Sequence, residues 1–88
     1  MAKKNKVIMI NSKDNVMVAL SDIAVGEMIE LGDIKIRTLS DIPFGHKIAA
    51  KDLKEGDIII KYGEVIGLAT TDIRKGEWIH CHNIHGRY

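Results

Sequence analysis

The sequence predicts an all-β fold, a small barrel or clip made of short strands. Short segments rich in Ile and Val recur along the chain, and Gly, Asp or Asn residues, which favour turns, separate them. In addition, no window of eleven or more residues shows a helical period of 3.6 that is free of Gly and Pro. Both observations favour strands joined by tight turns over helices.

Eight segments meet these criteria, and each is predicted to form one strand. Their bounds are 6–10, 15–20, 27–31, 34–38, 47–50, 57–62, 64–70 and 77–82. Residues 40–43 are expected to be extended, because the residue before a proline avoids the α region. Tyr62 and Gly63 are predicted to form a tight reversal that joins two paired strands.

One eight-residue pattern occurs four times: Asp, an aliphatic residue, two variable residues, Gly, a polar residue, any residue and Ile. The four copies begin at Asp22, Asp41, Asp52 and Asp72. The Asp is expected to accept backbone hydrogen bonds in a tight turn, the aliphatic residue to enter the core, and the Gly to adopt positive φ. These carboxylates are therefore predicted to be turn formers. Because the gaps between copies are irregular, the repeat does not indicate a stacked solenoid.

Length and charge limit the possible functions. A chain of 88 residues forms one domain with a small core, so an enzyme of this size would take active-site walls from a partner. The domain is expected to span 1–88, with flexible tails at 1–5 and 84–88. A formal net charge of +1 gives no electrostatic case for nucleic acid. Pairing through an exposed β edge would make a homo-oligomer.

The chain is predicted to be cytoplasmic and without a membrane partner. It has no apolar segment of membrane-spanning length, and the apolar run near its start is too short for a signal peptide. Its one cysteine, Cys81, cannot form an intramolecular disulfide. It is expected to be a small buried side chain, and it would be an alternative metal ligand only if its segment is not a strand.

Two histidines near the end of the chain are the first candidate site. On a strand, residues i and i+2 face the same side, so His80 and His82 would point into one space and Cys81 away from it. Such a pair suits two metal ligands or an acid and a base. His85 is a candidate third ligand.

His46 is the second candidate, and the repeat serves as its internal control. Where the other copies have Glu27, Asp57 and Glu77 after the glycine, this copy has His46. The departure favours a functional role, and the alternative is a solvated surface histidine.

A third candidate follows an apolar run, where Lys61 and Tyr62 precede Gly63. The ammonium could meet an anionic substrate, and the phenol could donate a hydrogen bond or act as an acid. Alternatively, the lysine stem lies along the strand end and the tyrosine covers the rim of the core. Gly67 interrupts a strand, where it could permit a bulge or the close backbone approach of a ligand, with packing alone as the alternative.

Three motifs in order resemble a known family. They are Pro43-x-Gly-His-Lys-Ile48, Lys61-Tyr-Gly-x-x-Ile-Gly-x-Ala-Thr70 and Gly76-Glu-Trp-Ile-His-x-His-Asn83. Together they resemble the small N-terminal module of the altronate/galactarate dehydratase family, over about Val7 to Asn83. That module is an SAF domain, and the resemblance implies a β-clip fold. In the family the module is fused to a large catalytic domain or is a separate small subunit. Because this sequence ends at Tyr88, soon after the His-Asn motif, the separate form is expected.

The resemblance also implies a lyase that removes water from a sugar acid such as altronate or galactarate. A large catalytic subunit is the implied partner, without which the chain is expected to be inactive. A divalent metal is implied, with Fe²⁺ expected and Mn²⁺ as the alternative.

Residue roles also follow from the resemblance. His46, His80 and His82 are expected to be metal ligands or acid/base groups, with His80 and His82 as the metal pair. Lys61 is expected to hold a substrate carboxylate, and Tyr62 and Asn83 to orient hydroxyls.

Two alternatives stay open. One is the small subunit of a sulfolactate sulfo-lyase, which expels sulfite in place of water. The other is a non-catalytic SAF module that binds carbohydrate or regulates an enzyme.

Overall fold

The structure, a computed structural model, describes residues 6–86 and confirms the all-β class. These residues form nine strands and no helix, so this part of the chain has no helix able to cross a membrane. The strands are β1 Val7–Ile8, β2 Val16–Ala19, β3 Met28–Leu31, β4 Ile34–Arg37, β5 Lys47–Ala49, β6 Ile58–Lys61, β7 Glu64–Ala69, β8 Trp78–Ile79 and β9 Ile84–His85.

The strands form three antiparallel sheets. The largest has the order β1-β2-β5-β8, a hairpin joins β3 to β4, and the third sheet has the order β6-β7-β9. In the four-stranded sheet, neighbouring residues enter different apolar clusters. Met17 and Ile48 belong to one cluster, whereas Val16 and Ala49 belong to the other. Because successive side chains face opposite sides of a strand, this sheet lies between two cores.

The four copies of the repeat act as two pairs. In the first pair, Asp22 accepts a hydrogen bond from the backbone amide of Phe44, and Asp41 accepts one from Val25, each at 2.8 Å. An isolated bridge between Ile23 and Ile42 joins the same two copies. The predicted bonds from backbone amides to Asp are therefore present, but each amide belongs to the other copy of the pair.

The second pair repeats this arrangement. Asp52 accepts from the amide of Lys75 at 2.8 Å, and Asp72 accepts from Glu55 at 3.0 Å. The repeat glycines adopt the predicted positive φ, between 82° and 92°. The aliphatic residues that follow the aspartates are buried, also as predicted: Ile23, Ile42, Leu53 and Ile73.

The strand predicted at 77–82 is too long, because β8 ends at Ile79. The backbone amide of Asn83 donates to the carbonyl of His80 at 3.0 Å and closes a turn. In addition, the side chain of Asn83 accepts from the amide of His80 at 3.0 Å, which removes that donor from any sheet ladder.

The tail predicted at 84–88 also needs correction, because Ile84 and His85 form β9 and pair with β7. Gly67 permits this pairing, since a Cβ there would lie 2.6 Å from the carbonyl oxygen of His85. The close contact at Gly67 is thus one of backbone packing, the alternative to a ligand, and the ladder between β6 and β7 also shifts register beside it, between Ile59 and Ile60. The tail predicted at 1–5 and residues 87–88 lie outside the described residues.

The predicted reversal at Tyr62 and Gly63 is present between β6 and β7. Both residues have positive φ, of 57° and 77°. Asp14 stabilises the turn by accepting a hydrogen bond from the amide of Gly63 at 2.8 Å.

Candidate active site

His46 differs from its equivalents because its copy of the repeat contains proline. In the other copies, the acidic side chain after the glycine accepts from the amide of the second residue after the Asp. The pairs are Glu27 with Ala24, Asp57 with Lys54 and Glu77 with Arg74. The equivalent position is Pro43, which has no N–H to donate. An acidic side chain at position 46 would therefore have no amide to accept from at that position. The side chain of His46 is accordingly not held within the turn.

The released imidazole makes a specific contact with β8. The indole Nε1 of Trp78 donates a hydrogen bond to Nδ1 of His46 at 3.1 Å. Since Nδ1 must be unprotonated to accept this bond, neutral His46 carries its proton on Nε2. His46 is also close to His80, with 4.7 Å between the ring centroids.

Trp78 gathers the other two predicted histidines as well. Its ring stacks on His80 at 5.3 Å with 8° between the planes, and it meets His82 at 5.0 Å and 38°. The predicted convergence of His80 and His82 is present, but the turn and the shared indole produce it instead of a strand. Sequence reasoning did not assign Trp78 to the site, although it lies two residues before His80 on a strand. Cys81 is exposed in the turn, contrary to the predicted buried position.

Nearby positive charges affect the protonation of His80. Partial burial is the largest cause that lowers its pKa below 6.5, followed by the charges of His46, Lys47 and His82. His80 is therefore mostly neutral at pH 7 and able to accept a proton.

Lys47 is a site residue that sequence reasoning missed, although it directly follows His46. Burial lowers its pKa, and the ammonium of Lys61 lowers it further. Lys61 lies at the end of β6, where its Nζ is 4.9 Å from the ring centroid of Tyr62. Lys61 and Tyr62 thus contact each other. The charge of Lys61 also lowers the pKa of Lys47, which lies beside the histidine cluster.

The chain matches the family model described as altronate/galactarate dehydratase SAF domain over residues 5–87. It belongs to this family. The predicted resemblance is confirmed, and the all-β structure is consistent with an SAF fold.

Relatives extend the comparison. The SAF domain is 49% identical to altronate dehydratase from Bacillus subtilis (strain 168) over 76 residues. These aligned residues make up 86% of this chain and 15% of that protein. It is 36% identical over 72 residues to galactarate dehydratase (L-threo-forming) from Escherichia coli (strain K12), covering 82% of this chain and 14% of that protein. The chain therefore spans about one seventh of these dehydratases.

A much shorter relative is (2R)-sulfolactate sulfo-lyase subunit alpha from Paracoccus pantotrophus. The SAF domain is 47% identical to it over 51 residues, which cover 58% of this chain and 76% of that protein.

Asn83 of the SAF domain is buried beneath the histidine turn. Its Oδ1 accepts from the amide of His80 at 3.0 Å, and its Nδ2 donates to the carbonyl of Trp78 at 2.9 Å. The side chain is directed to the backbone of this loop, so it positions the two residues whose rings stack.

The SAF domain does not by itself fit the expected metal. Among residues 6–86, no three His, Cys, Asp or Glu side chains are grouped closely enough to hold an ion. One nitrogen of His46 is already an acceptor for Trp78. His85 lies in β9, where it pairs with Leu68 in the three-stranded sheet.

Proposed function

We propose that this SAF domain works as a small subunit of a sugar-acid dehydratase of the altronate or galactarate type. It contributes imidazole and ammonium groups to an active site shared with a larger polypeptide. The observation that carries this proposal is the gathering of three imidazoles around one indole, with Lys47 beside them. An enzyme that breaks C–H and C–O bonds in a polyhydroxy acid needs such a set of bases, donors and cations.

The reaction assigns a role to each group. His80, which is mostly neutral because of its lowered pKa, removes the proton α to the substrate carboxylate. The electron pair of the C–H bond forms a C=C bond as the β C–O bond breaks. His46 gives the proton on Nε2 to the departing hydroxyl, so the product is water. The proton that His80 removed then passes to His46, whose ring centroid is 4.7 Å from that of His80, and both imidazoles return to their starting forms. His82 is exposed at the edge of the cluster and faces the approaching substrate.

The lysines neutralise the carboxylate whose charge grows when the α proton leaves. Lys61 and Lys47 lie close enough for one charge to affect the other, so they form a positive region beside the imidazoles. The hydroxyl of Tyr62, which is exposed next to Lys61, binds a substrate hydroxyl. Asn83 orients substrate only indirectly, by positioning His80.

The larger polypeptide supplies what the SAF domain lacks. We place the Fe²⁺ or Mn²⁺ site there, because the described donors do not complete one. Such a metal would stabilise negative charge on the substrate when bound. The longer dehydratases and a relative named as a subunit support a partner of this kind, and a cytoplasmic enzyme is the simplest arrangement.

Sulfolactate sulfo-lyase is the second candidate function. Its support is specific, since the relative named as subunit alpha is short and matches this chain over 76% of its length. Removal of the α proton is common to both reactions, and only the leaving group differs.

An assay of three preparations tests the proposal. The SAF domain, the larger polypeptide of the same organism and their mixture are each given altronate, galactarate and sulfolactate with Fe²⁺. We expect turnover only in the mixture, and the substrate consumed distinguishes loss of water from loss of sulfite. Full activity of the larger polypeptide alone would contradict a catalytic role for the SAF domain.

Variants locate the activity within the cluster. His46→Gln and His80→Gln should each reduce kcat by about 10²- to 10⁴-fold, the range for loss of a general acid or base. His85→Gln is the matched control, because that exposed histidine lies in the other sheet. Equal kcat values for all three variants would exclude the proposed roles.

A further inference from the structure

One position of the repeat has a different character in the two pairs. The third residue after the Asp donates its backbone amide to the partner Asp in all four copies. In the second pair it is a charged, exposed residue, Glu55 or Lys75. In the first pair it is Val25, 58% exposed, or Phe44, 66% exposed. Because the backbone role is the same, the fold does not require apolar side chains here.

A groove of about 480 Å³ lies between the turns of the first pair. Its lining includes Ile23, Ile42 and Pro43. It also includes the carboxylates of Asp22 and Asp41, and that of Glu27, which is paired with Lys6. Val25 and Phe44 each follow a lining residue directly in the chain. We call the groove with these two side chains the first-pair surface. It is apolar with an acidic rim, so a complementary surface would have an apolar pocket beside Lys or Arg side chains.

The first-pair surface is continuous with the candidate active site. Phe44 and His46 belong to the same turn and are separated only by Gly45, whose φ is 82°. His46 contacts Trp78 and His80 in turn. A partner that covers Phe44 therefore also lies next to the imidazoles and can supply walls for them.

We propose that the first-pair surface is where the larger dehydratase polypeptide docks, with Phe44 inserted into an apolar pocket of that partner. This inference rests on the proposed function, which requires a second polypeptide at the histidine cluster. Exposed aromatic side chains that fill a partner pocket dominate the binding energy of many interfaces. The SAF domain matches only 15% of an altronate dehydratase relative, so the rest of such an enzyme is large enough to form that pocket.

The repeat suggests the test variants. Phe44→Lys and Val25→Glu place in the first pair the residue types that the second pair has at the same position. Both variants should fold, because Lys75 and Glu55 occupy equivalent turns. Val65→Lys is the matched control, since Val65 is 57% exposed in β7, away from this turn pair.

Binding of each SAF variant to the larger polypeptide is measured by isothermal titration calorimetry, with thermal unfolding as a check on folding. Phe44→Lys is expected to raise Kd by at least about 30-fold, the effect of losing an interface hot spot. Val25→Glu should raise Kd by a smaller factor, and Val65→Lys should leave it unchanged. An activity assay at saturating SAF domain accompanies the titration.

The outcomes separate the docking surface from the function. If Phe44→Lys binds like the native domain while the mixture of native domain and larger polypeptide is active, the docking proposal is wrong and the proposed function is supported. If Phe44→Lys loses binding but the native mixture turns over no substrate, the surface stands and the function is wrong. No binding by the native domain, or an effect of Phe44→Lys on self-association only, overturns the docking proposal.

Discussion

The indole of Trp78 donates a hydrogen bond to Nδ1 of His46 at 3.1 Å and stacks on the ring of His80. One side chain thus selects the tautomer of the first imidazole and orients the plane of the second. Trp78 is partly buried at the edge of the four-stranded sheet, so its position is determined by the fold. It is a positioning residue, and its effect on the two histidines can be measured separately.

Trp78→Phe should reduce activity while leaving the domain folded. Phenylalanine retains an aromatic ring for stacking but has no N–H for His46, which costs about 1 kcal/mol of unfolding free energy. A misplaced catalytic group lowers kcat, here by on the order of 10- to 100-fold.

The imidazole nitrogen shifts of His46 in ¹⁵N NMR provide a readout that a structural effect alone does not move. In the native domain Nδ1 should be unprotonated, and in Trp78→Phe both tautomers should be present. An unchanged tautomer in the variant would remove Trp78 from this role.

Lys47→Met should raise the pKa of His80, because it removes one of the positive charges that lower it. The methionine keeps an apolar stem of similar length. NMR titration of the His80 ring measures the shift directly. The acid limb of kcat/KM should move to higher pH by the same amount. Lys75→Met, in an exposed turn of the second pair, is the control that should leave His80 unaffected.

The same pKa has a consequence for stability. Folded His80 binds protons less readily than the unfolded chain, whose histidine pKa is near 6.5. The unfolding free energy should therefore fall as pH decreases from 6.5 through the lowered pKa of His80. In His80→Gln this part of the pH dependence should disappear. An unchanged pH profile in that variant would show that the folded and unfolded pKa values are equal.

Asn83→Ala should destabilise the domain and reduce activity together. It leaves the amide of His80 and the carbonyl of Trp78 without their partners, at a cost of about 1–3 kcal/mol. Asn83→Asp keeps the acceptor for His80 but directs a carboxylate oxygen toward the Trp78 carbonyl, so it should also destabilise. Urea unfolding measures both variants, and native stability in either one would contradict the role assigned to Asn83.

Gly76→Ala should be much more destabilising than Gly26→Ala, although both glycines occupy the same repeat position. Each has positive φ, so alanine costs about 1–2 kcal/mol at either site. At Gly26 nothing lies within 4 Å of the new Cβ, whereas at Gly76 the Arg37 carbonyl oxygen would be 2.3 Å away. Overpacking of this kind adds about 1–3 kcal/mol. Thermal unfolding compares them, and equal losses would mean that the backbone at Gly76 relaxes freely.

Sequence patterns predicted the strands well where a turn residue limited them. The Asp and Gly of each repeat mark the turns because their side-chain oxygen and positive φ act within a few residues. The strand at 77–82 was predicted too long, since the side chain of Asn83 competes for the amide of His80. Strand β9 was missed because a pair such as Ile84–His85 is too short to show alternation.

The sequence predicted which residues belong to the candidate site better than it predicted how they are arranged. His46 was recognisable as a departure from the repeat, and Pro43 is the reason visible in the sequence: without an N–H at that position, an acid has no turn to cap. Lys47 and Trp78 occupy a variable position of the pattern, so nothing in the repeat distinguished them.

The sequence by itself determined the all-β class, the four Asp and Gly turns, the family and the histidines. Each of these depends on residue type and short-range spacing along the chain. Only the tertiary structure decided that the copies act in pairs, that Trp78 joins His46 to His80, and that Lys47 lies beside them. The contacts within the first pair join residues 16 and 22 positions apart, and Trp78 and His46 are 32 positions apart. Such contacts depend on how strands pair across the sheet.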